Sequence, residues 1–134
     1  MQLINDLFEK SPNQTVISRY TSLNGVLYLG AGALLLLWPG SVQTLLGDPA
    51  FVGREEGLIR VIGLTVVIIG CLYLLGGRAN AKQIIAVSIV SRPILVPLAL
   101  VPLAIAGVFP RLLLTYVVLD MLLSIGGGLL ARKA

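Results

Sequence analysis

The sequence has no histidine, a single cysteine (Cys71) and few charged side chains, six acidic and ten basic among 134 residues. The common zinc, haem and di-iron ligand sets therefore cannot be assembled, and a disulfide within the chain is excluded. We expect no metal site, and Cys71 is expected to be an inert thiol in the core. Charged residues make up only 12% of the chain, which is too few for the surface of a soluble domain.

Hydrophobic residues, by contrast, make up 57% of the chain. The net charge of +4 does not indicate a nucleic-acid partner, because the basic residues form no run and are not interleaved with aromatic residues. Membrane lipids are the expected surroundings. The sequence therefore predicts an all-α protein, an integral membrane four-helix bundle that forms a single transmembrane domain over residues 1–134.

The predicted spans are apolar segments near or above the length of about 20 residues that a bilayer core requires. They cover residues 16–38, 54–75, 82–106 and 111–131. Before them, residues 2–10 place apolar side chains at helical spacing, which predicts a short interfacial helix. A cleaved signal peptide is the alternative, but acidic residues stand where its basic region should be.

Local signals predict the helix boundaries. The pairs Ser11-Pro12 and Asp48-Pro49 are typical of an N-cap followed by proline, and they predict the starts of the first two long helices. Gly76-Gly77 predicts the end of the second at Leu75, and residues 41–47 are expected to be a short loop or interfacial turn.

The third predicted span contains three prolines, Pro93, Pro97 and Pro102. Each removes a backbone donor, so a kinked helix is expected, one that faces protein along much of its length. Asn80, three residues before Gln83, predicts the start of this helix.

Each span carries one stripe of polar side chains. We expect these stripes to face the bundle interior, because polar groups in contact with lipid are costly. They form the candidate polar core, which serves either ligand binding or structure: Asn24 and Tyr28, Glu56 and Arg60, Arg92, and Tyr116 and Asp120.

Depth predicts which of these residues meet. At about 1.5 Å per residue, Arg92 lies about 12 Å from one end of its helix and Asp120 about 14 Å from the opposite end of its own. Both fall near the middle of a core of about 30 Å, so an intramembrane ion pair is predicted. The pair either fixes helix register or belongs to a ligand site or proton path. Glu56 and Arg60 are expected nearer the outer surface.

The charge distribution predicts the orientation. Four spans place both termini and the loop between the second and third spans on one side. The opposite loops hold only Arg54 and Arg111. By the positive-inside rule the termini are cytoplasmic, and compact loops suit a bacterial inner (plasma) membrane. The basic residues on the side of the termini are Lys10, Arg19, Arg78, Lys82, Arg132 and Lys133.

The plan of four short spans, with Leu-Gly-Asp-Pro at residues 46–49 and Arg-Glu-Glu-Gly-Leu-Ile-Arg-Val-Ile-Gly at residues 54–63, resembles the small bacterial membrane proteins of the DoxX-like group. The resemblance implies a lipid-soluble quinone or an oxidoreductase partner. It implies no catalytic residue, because the group has no shared signature that these positions match.

Three functions agree with the sequence. The first is a small non-catalytic subunit or scaffold that packs with other membrane proteins or with copies of itself. The second is a bundle that binds a small lipophilic ligand, a lipid or a quinone-like molecule, with isomerase or transport activity. The third is a small transporter or channel, which would have to be a dimer because four filled spans leave little lumen. No cofactor is expected beyond a bound lipid or quinone.

Overall fold

A computed structural model describes residues 1–133, which form seven helices and no strand. The predicted all-α class is confirmed. Three helices, α2, α4 and α7, are long and apolar enough to cross a membrane, and α5 and α6 reach this length together across a 43° bend. These lengths indicate a membrane protein. The helices are α1 (Gln2–Phe8), α2 (Val16–Leu37), α3 (Pro39–Leu46), α4 (Glu55–Arg78), α5 (Lys82–Val90), α6 (Arg92–Ile105) and α7 (Pro110–Lys133).

The long helices pack as two pairs, α2 with α4 and α6 with α7. Glycines allow the first pair to approach closely. A Cβ atom on Gly63 would lie 2.5 Å from the backbone nitrogen of Leu36, and one on Gly32 would lie 2.6 Å from that of Val67. No larger residue fits such an approach. Contacts of α2 and α5 with α7, and of α4 with α5, join the two pairs.

The predicted start of α2 at Ser11 is wrong. The helix begins at Val16, and the side chain of Thr15 caps it by accepting a hydrogen bond from the Ser18 nitrogen at 3.1 Å. Residues 11–14 instead cap the C-terminal end of α4. The Ser11 nitrogen and the Gln14 side-chain amide both donate to the Arg78 carbonyl oxygen, each at 2.9 Å.

The predicted start at Asp48 is also wrong, because α4 begins at Glu55. The carboxylate of Asp48 caps α7 instead, accepting hydrogen bonds from the backbone nitrogens of Arg111 at 3.0 Å and Leu112 at 2.8 Å. Residues 41–47 were expected to be a loop or interfacial turn, but all except Gly47 lie in α3. That helix is followed by Gly47, whose φ is 73°.

Gly76 and Gly77 do not end α4, which continues to Arg78. A Cβ atom on Gly77 would lie 2.5 Å from the Ser18 carbonyl oxygen, so the glycine serves close packing with α2. Asn80 lies just beyond the end of the helix, with a φ of 52° and a nitrogen that donates to the Gly77 carbonyl oxygen at 3.1 Å. This is a Schellman motif with asparagine in the left-handed position.

The third predicted span is broken into α5 and α6 at Ser91. Pro93 accounts for the break, since proline lacks the backbone donor that a continuous helix would use and its ring crowds the carbonyl group one turn earlier. The expectation that this segment faces protein along much of its length is wrong. Side chains such as Ile94 and Leu98 are exposed, and α6 buries only Arg92 and Ala104. Because α6 stays helical past its inner prolines, most of its backbone groups need no outside partner.

The expectation that Cys71 is a core thiol is wrong as well. The cysteine lies exposed on the outer surface of α4.

Candidate functional site

Four side chains, one from each long helical segment, meet inside the molecule. Tyr28 comes from α2, Tyr73 from α4, Arg92 from α6 and Asp120 from α7. We call them the central cluster. Tyr28, Arg92 and Asp120 are 3%, 5% and 2% exposed, and Tyr73 is half-buried. Buried charges in proteins are normally paired, and the contacts of this cluster supply the pairing.

The ion pair is at the centre of the cluster. Nη2 of Arg92 lies 2.7 Å from Oδ1 of Asp120, and Nε donates to the same oxygen at 2.8 Å. Nη2 also donates to the hydroxyl oxygen of Tyr28 at 2.6 Å, and that hydroxyl donates to Oδ1 of Asp120. One carboxylate oxygen therefore accepts hydrogen bonds from Arg92 Nε and from Tyr28 and forms the ion pair with Nη2, and the three residues form a closed triangle.

Aromatic rings enclose the guanidinium of Arg92. Its central carbon lies 5.0 Å from the ring centroid of Tyr28 and 5.3 Å from that of Tyr73. These distances permit cation–π attraction on two sides. The two rings pack edge to face at 5.7 Å, and the ring of Tyr116 lies 6.2 Å from that of Tyr28. The charge of Arg92 is thus stabilised by one carboxylate and two rings.

The bend between α5 and α6 is what places Arg92 in the cluster. Arg92 is the first residue of α6, directly after the break at Ser91. Its Nη1 donates to the Ser88 carbonyl oxygen in the last turn of α5, at 3.3 Å. The guanidinium therefore satisfies a carbonyl beside the break as well as the carboxylate of Asp120.

Four buried polar atoms have no hydrogen-bond partner within residues 1–133. Buried polar groups are normally hydrogen-bonded, so such atoms require an explanation. Oδ2 of Asp120 is one of them, although Oδ1 of the same carboxylate accepts two hydrogen bonds. The others are Thr21 Oγ1, Asn24 Oδ1 and Ser124 Oγ.

The second predicted pair, Glu56 with Arg60, lies apart from the central cluster. Its Oε1 and Nη2 atoms are 3.0 Å apart, and the two side chains are 52% and 42% exposed. Arg60 also donates to the carbonyl oxygens of Leu36 at 2.7 Å and Leu37 at 3.3 Å, at the end of α2. This pair therefore secures the end of α2 and does not line an interior site.

Tyr116 borders a cavity of about 360 Å³ that is lined by residues of α4, α6 and α7, with Leu35 of α2. All its lining residues are apolar except Thr65 and Tyr116. The hydroxyl of Thr65 donates to the Val61 carbonyl oxygen at 3.1 Å. The hydroxyl of Tyr116, by contrast, makes no hydrogen bond within the described part of the chain.

The sequence missed two parts of this arrangement. Tyr73 joins the cluster from α4, although the candidate polar core took only Glu56 and Arg60 from that span. Ser18 and Thr21 extend the α2 stripe of Asn24 and Tyr28 by two further steps of three residues, and all four are buried. The sequence alone showed that spacing, but it did not show that Tyr73 contacts Arg92 of α6.

Within residues 1–133 no group of three or more histidine, cysteine, aspartate or glutamate side chains could hold a metal ion. The site is instead a neutral pair of opposite charges, framed by tyrosines and adjoining an apolar cavity. No family model, curated protein or solved structure matches the chain.

Proposed function

We propose that this chain is a four-span membrane bundle that binds a small lipophilic ligand in the cavity beside Tyr116. In this arrangement α2, α4, the bent pair α5 and α6, and α7 each cross the bilayer. The outer faces support it, because large apolar side chains are exposed along all four segments. Such faces suit lipid tails and would be unfavourable in water.

The same arrangement supplies an orientation. The termini and the turn between α4 and α5 lie on the cytoplasmic side of a bacterial inner membrane, following the excess of basic residues there. Helix α1 then rests on that surface with its exposed apolar side chains in the interface: Leu3, Ile4, Leu7 and Phe8.

The observation that carries the ligand proposal is the cavity itself. Its volume falls within the range of about 300–1,000 Å³ that is usual for small-molecule sites. Such sites are mostly apolar, with a few polar groups that orient the ligand. The hydroxyl of Tyr116 is available for that purpose, while Thr65 is already hydrogen-bonded to its own helix.

The position of the cavity indicates how a ligand would enter. It opens between α4 and α6, where the lining side chains of Ile62 and Leu95 are 44% and 59% exposed. A molecule dissolved in the bilayer could enter sideways without crossing water. We infer a lipid or quinone-like molecule with an apolar body and one oxygen that hydrogen-bonds to Tyr116. The quinone implied by the resemblance to the DoxX-like group remains a prediction from sequence.

A non-catalytic subunit or scaffold is the competing proposal. Its support would be outer faces shaped for other spans, but exposed leucine, isoleucine and valine are equally what lipid contact requires. No step of chemistry is proposed for either function, since the one carboxylate in the cluster is held by Arg92 and Tyr28.

The proposal is tested by the ligand that the protein retains. The purified protein is denatured, and co-extracted lipids and quinones are quantified by mass spectrometry. Val96→Phe, which fills the cavity from α6, should reduce the retained ligand at least ten-fold. Leu98→Phe is the matched control and should retain the ligand, because Leu98 lies two residues away, is 71% exposed and does not line the cavity.

Two results would contradict ligand binding. One is a monodisperse wild-type protein that carries no stoichiometric small molecule. The other is equal retention by the Val96→Phe and Leu98→Phe variants, which would place the bound molecule on the outer surface and favour the scaffold.

A further inference from the structure

The buried polar side chains of α2 lie on one side of the central cluster. Ser18, Thr21 and Asn24 follow one another at steps of three residues before Tyr28, and each is at most 2% exposed. Beyond Tyr28, towards the other end of α2, the buried positions are Gly32 and Leu35. The interior face of this helix is therefore polar in its first half and apolar in its second.

The other helices show the same division. On α7, Ser124 follows Asp120 by one turn and is buried, whereas the buried residue before it, Val117, is apolar. On α5, Ser88 lies one turn before Arg92 and is also buried. All three helices thus place their buried hydroxyls on the side of the cluster that holds the chain termini, and the apolar cavity lies on the opposite side.

The register of α2 and α7 brings these groups to similar levels. The two helices run antiparallel, as the contacts of Tyr28 with Asp120 and of the Tyr20 hydroxyl with the Leu123 carbonyl oxygen, at 2.6 Å, demonstrate. Asn24 and Ser124 each lie four residues, or about 6 Å, from the cluster in the same direction. Both carry an oxygen without a hydrogen-bond partner in the described part of the chain.

All four unpartnered buried atoms belong to this half of the molecule, including Oδ2 of Asp120. Two of the atoms, in Asp120 and Asn24, are acceptors only, so they cannot satisfy one another. The missing partner must donate hydrogen bonds to them. It must also be uncharged, because Arg92 already neutralises Asp120. Water meets both conditions, and buried water typically bridges such groups.

We propose that water enters the half of the bundle between α2, α5 and α7 from the side of the termini and hydrogen-bonds to Oδ2 of Asp120. The apolar half of the interior stops it there, so water reaches Asp120 from one side of the membrane only. This inference rests on the four-span arrangement proposed above, but it does not depend on whether a ligand fills the cavity.

Cysteine labelling tests the proposal, because only the thiolate reacts with maleimides and a thiolate forms only where water reaches it. The exposed Cys71 is first replaced by alanine. Ser124→Cys, Val117→Cys and Ile125→Cys are then compared in proteoliposomes. N-ethylmaleimide, which crosses bilayers, is added, and alkylation is followed by intact-protein mass spectrometry.

We expect the cysteine at position 124 to be alkylated at least ten-fold faster than those at positions 117 and 125. Val117 is the buried control on the apolar side of Asp120, and Ile125, 51% exposed, is the lipid-facing control beside Ser124. If Ser124→Cys does not fold, Thr21→Cys replaces it with the same expected contrast.

Equal, slow labelling at positions 124 and 117 would overturn the proposal, and equal, fast labelling would overturn the one-sided path. Fast labelling at position 125 would instead contradict the four-span arrangement itself. Loss of retained ligand in the separate extraction experiment leaves this contrast unchanged, so the two proposals fail independently.

Discussion

At the scale of single residues, Asp120 makes its hydrogen bonds to the central cluster through one of its two carboxylate oxygens. Oδ1 accepts from Arg92 and Tyr28, while Oδ2 has no partner within residues 1–133. The Arg92–Asp120 pair was predictable from depth alone, because each side chain was the only one of its charge in the middle of its span. The participation of Tyr73 was not, because a tyrosine among apolar residues has the same local pattern whether it faces a ring or a cation.

Replacing Asp120 with asparagine should reduce the free energy of unfolding by about 3–5 kcal/mol, because Arg92 is left buried without its counter-charge. The double variant Arg92→Gln, Asp120→Asn should recover more than half of this loss. Unfolding of the purified protein by sodium dodecyl sulfate in detergent micelles measures both. Glu56→Gln, at the exposed pair, is the control and should change stability by less than about 1 kcal/mol. If the loss of stability in the double variant equals the sum of the losses in the Asp120→Asn and Arg92→Gln single variants, the two residues are not coupled.

Asp48→Ala should reduce the free energy of unfolding by about 1–2 kcal/mol, since it removes both side-chain hydrogen bonds at the start of α7. The same unfolding measurement applies. Asp6→Ala removes an exposed carboxylate in α1 and should have no measurable effect. Equal effects of the two changes would mean that Asp48 does not cap α7.

At the scale of helices, two features determine how the helices pack: the close glycine contact between α2 and α4, and the bend between α5 and α6. Proline at position 93 made a kink predictable, but the sequence did not indicate that the bend would place Arg92 at the start of the second segment. Glycines at 76 and 77 were misinterpreted as a helix end, because glycine both terminates helices and lets them pack closely. Only a neighbouring helix distinguishes the two uses.

Gly63→Ala should destabilise the protein by about 1–3 kcal/mol, because the added Cβ would overlap the backbone of α2 near Leu36. Gly57→Ala is the matched control on the same helix, where a Cβ meets nothing within 4 Å. That change should be neutral or stabilising by about 0.5–1 kcal/mol, as expected for alanine in place of glycine within a helix. Thermal unfolding in detergent compares the two, and similar losses would disprove the close contact.

At the scale of the whole molecule, two helix pairs meet around the central cluster, with buried hydroxyls on the side of the termini and an apolar cavity on the other. In the proposed orientation both termini are cytoplasmic. A fluorescent protein that folds only in the cytoplasm should therefore fluoresce when fused after the last residue. Alkaline phosphatase, active only outside the cytoplasm, should be active when fused after Ala50, between α3 and α4. The reverse pattern would invert the topology. Active phosphatase after Ala50 together with a C-terminal fusion that does not fluoresce would require an odd number of spans.

The sequence by itself determined the helical class, the apolar segments, the positions of Arg92 and Asp120 along them and the distribution of basic residues. These properties add up residue by residue along the chain, so hydropathy and helical spacing are enough to find them. The tertiary structure alone decided that Asp48 caps a helix 63 residues further on, that Tyr73 joins the cluster and that a cavity forms beside Tyr116. Hydrogen bonds and packing between distant segments form only after the helices have assembled, and no local pattern encodes which distant group will be the partner.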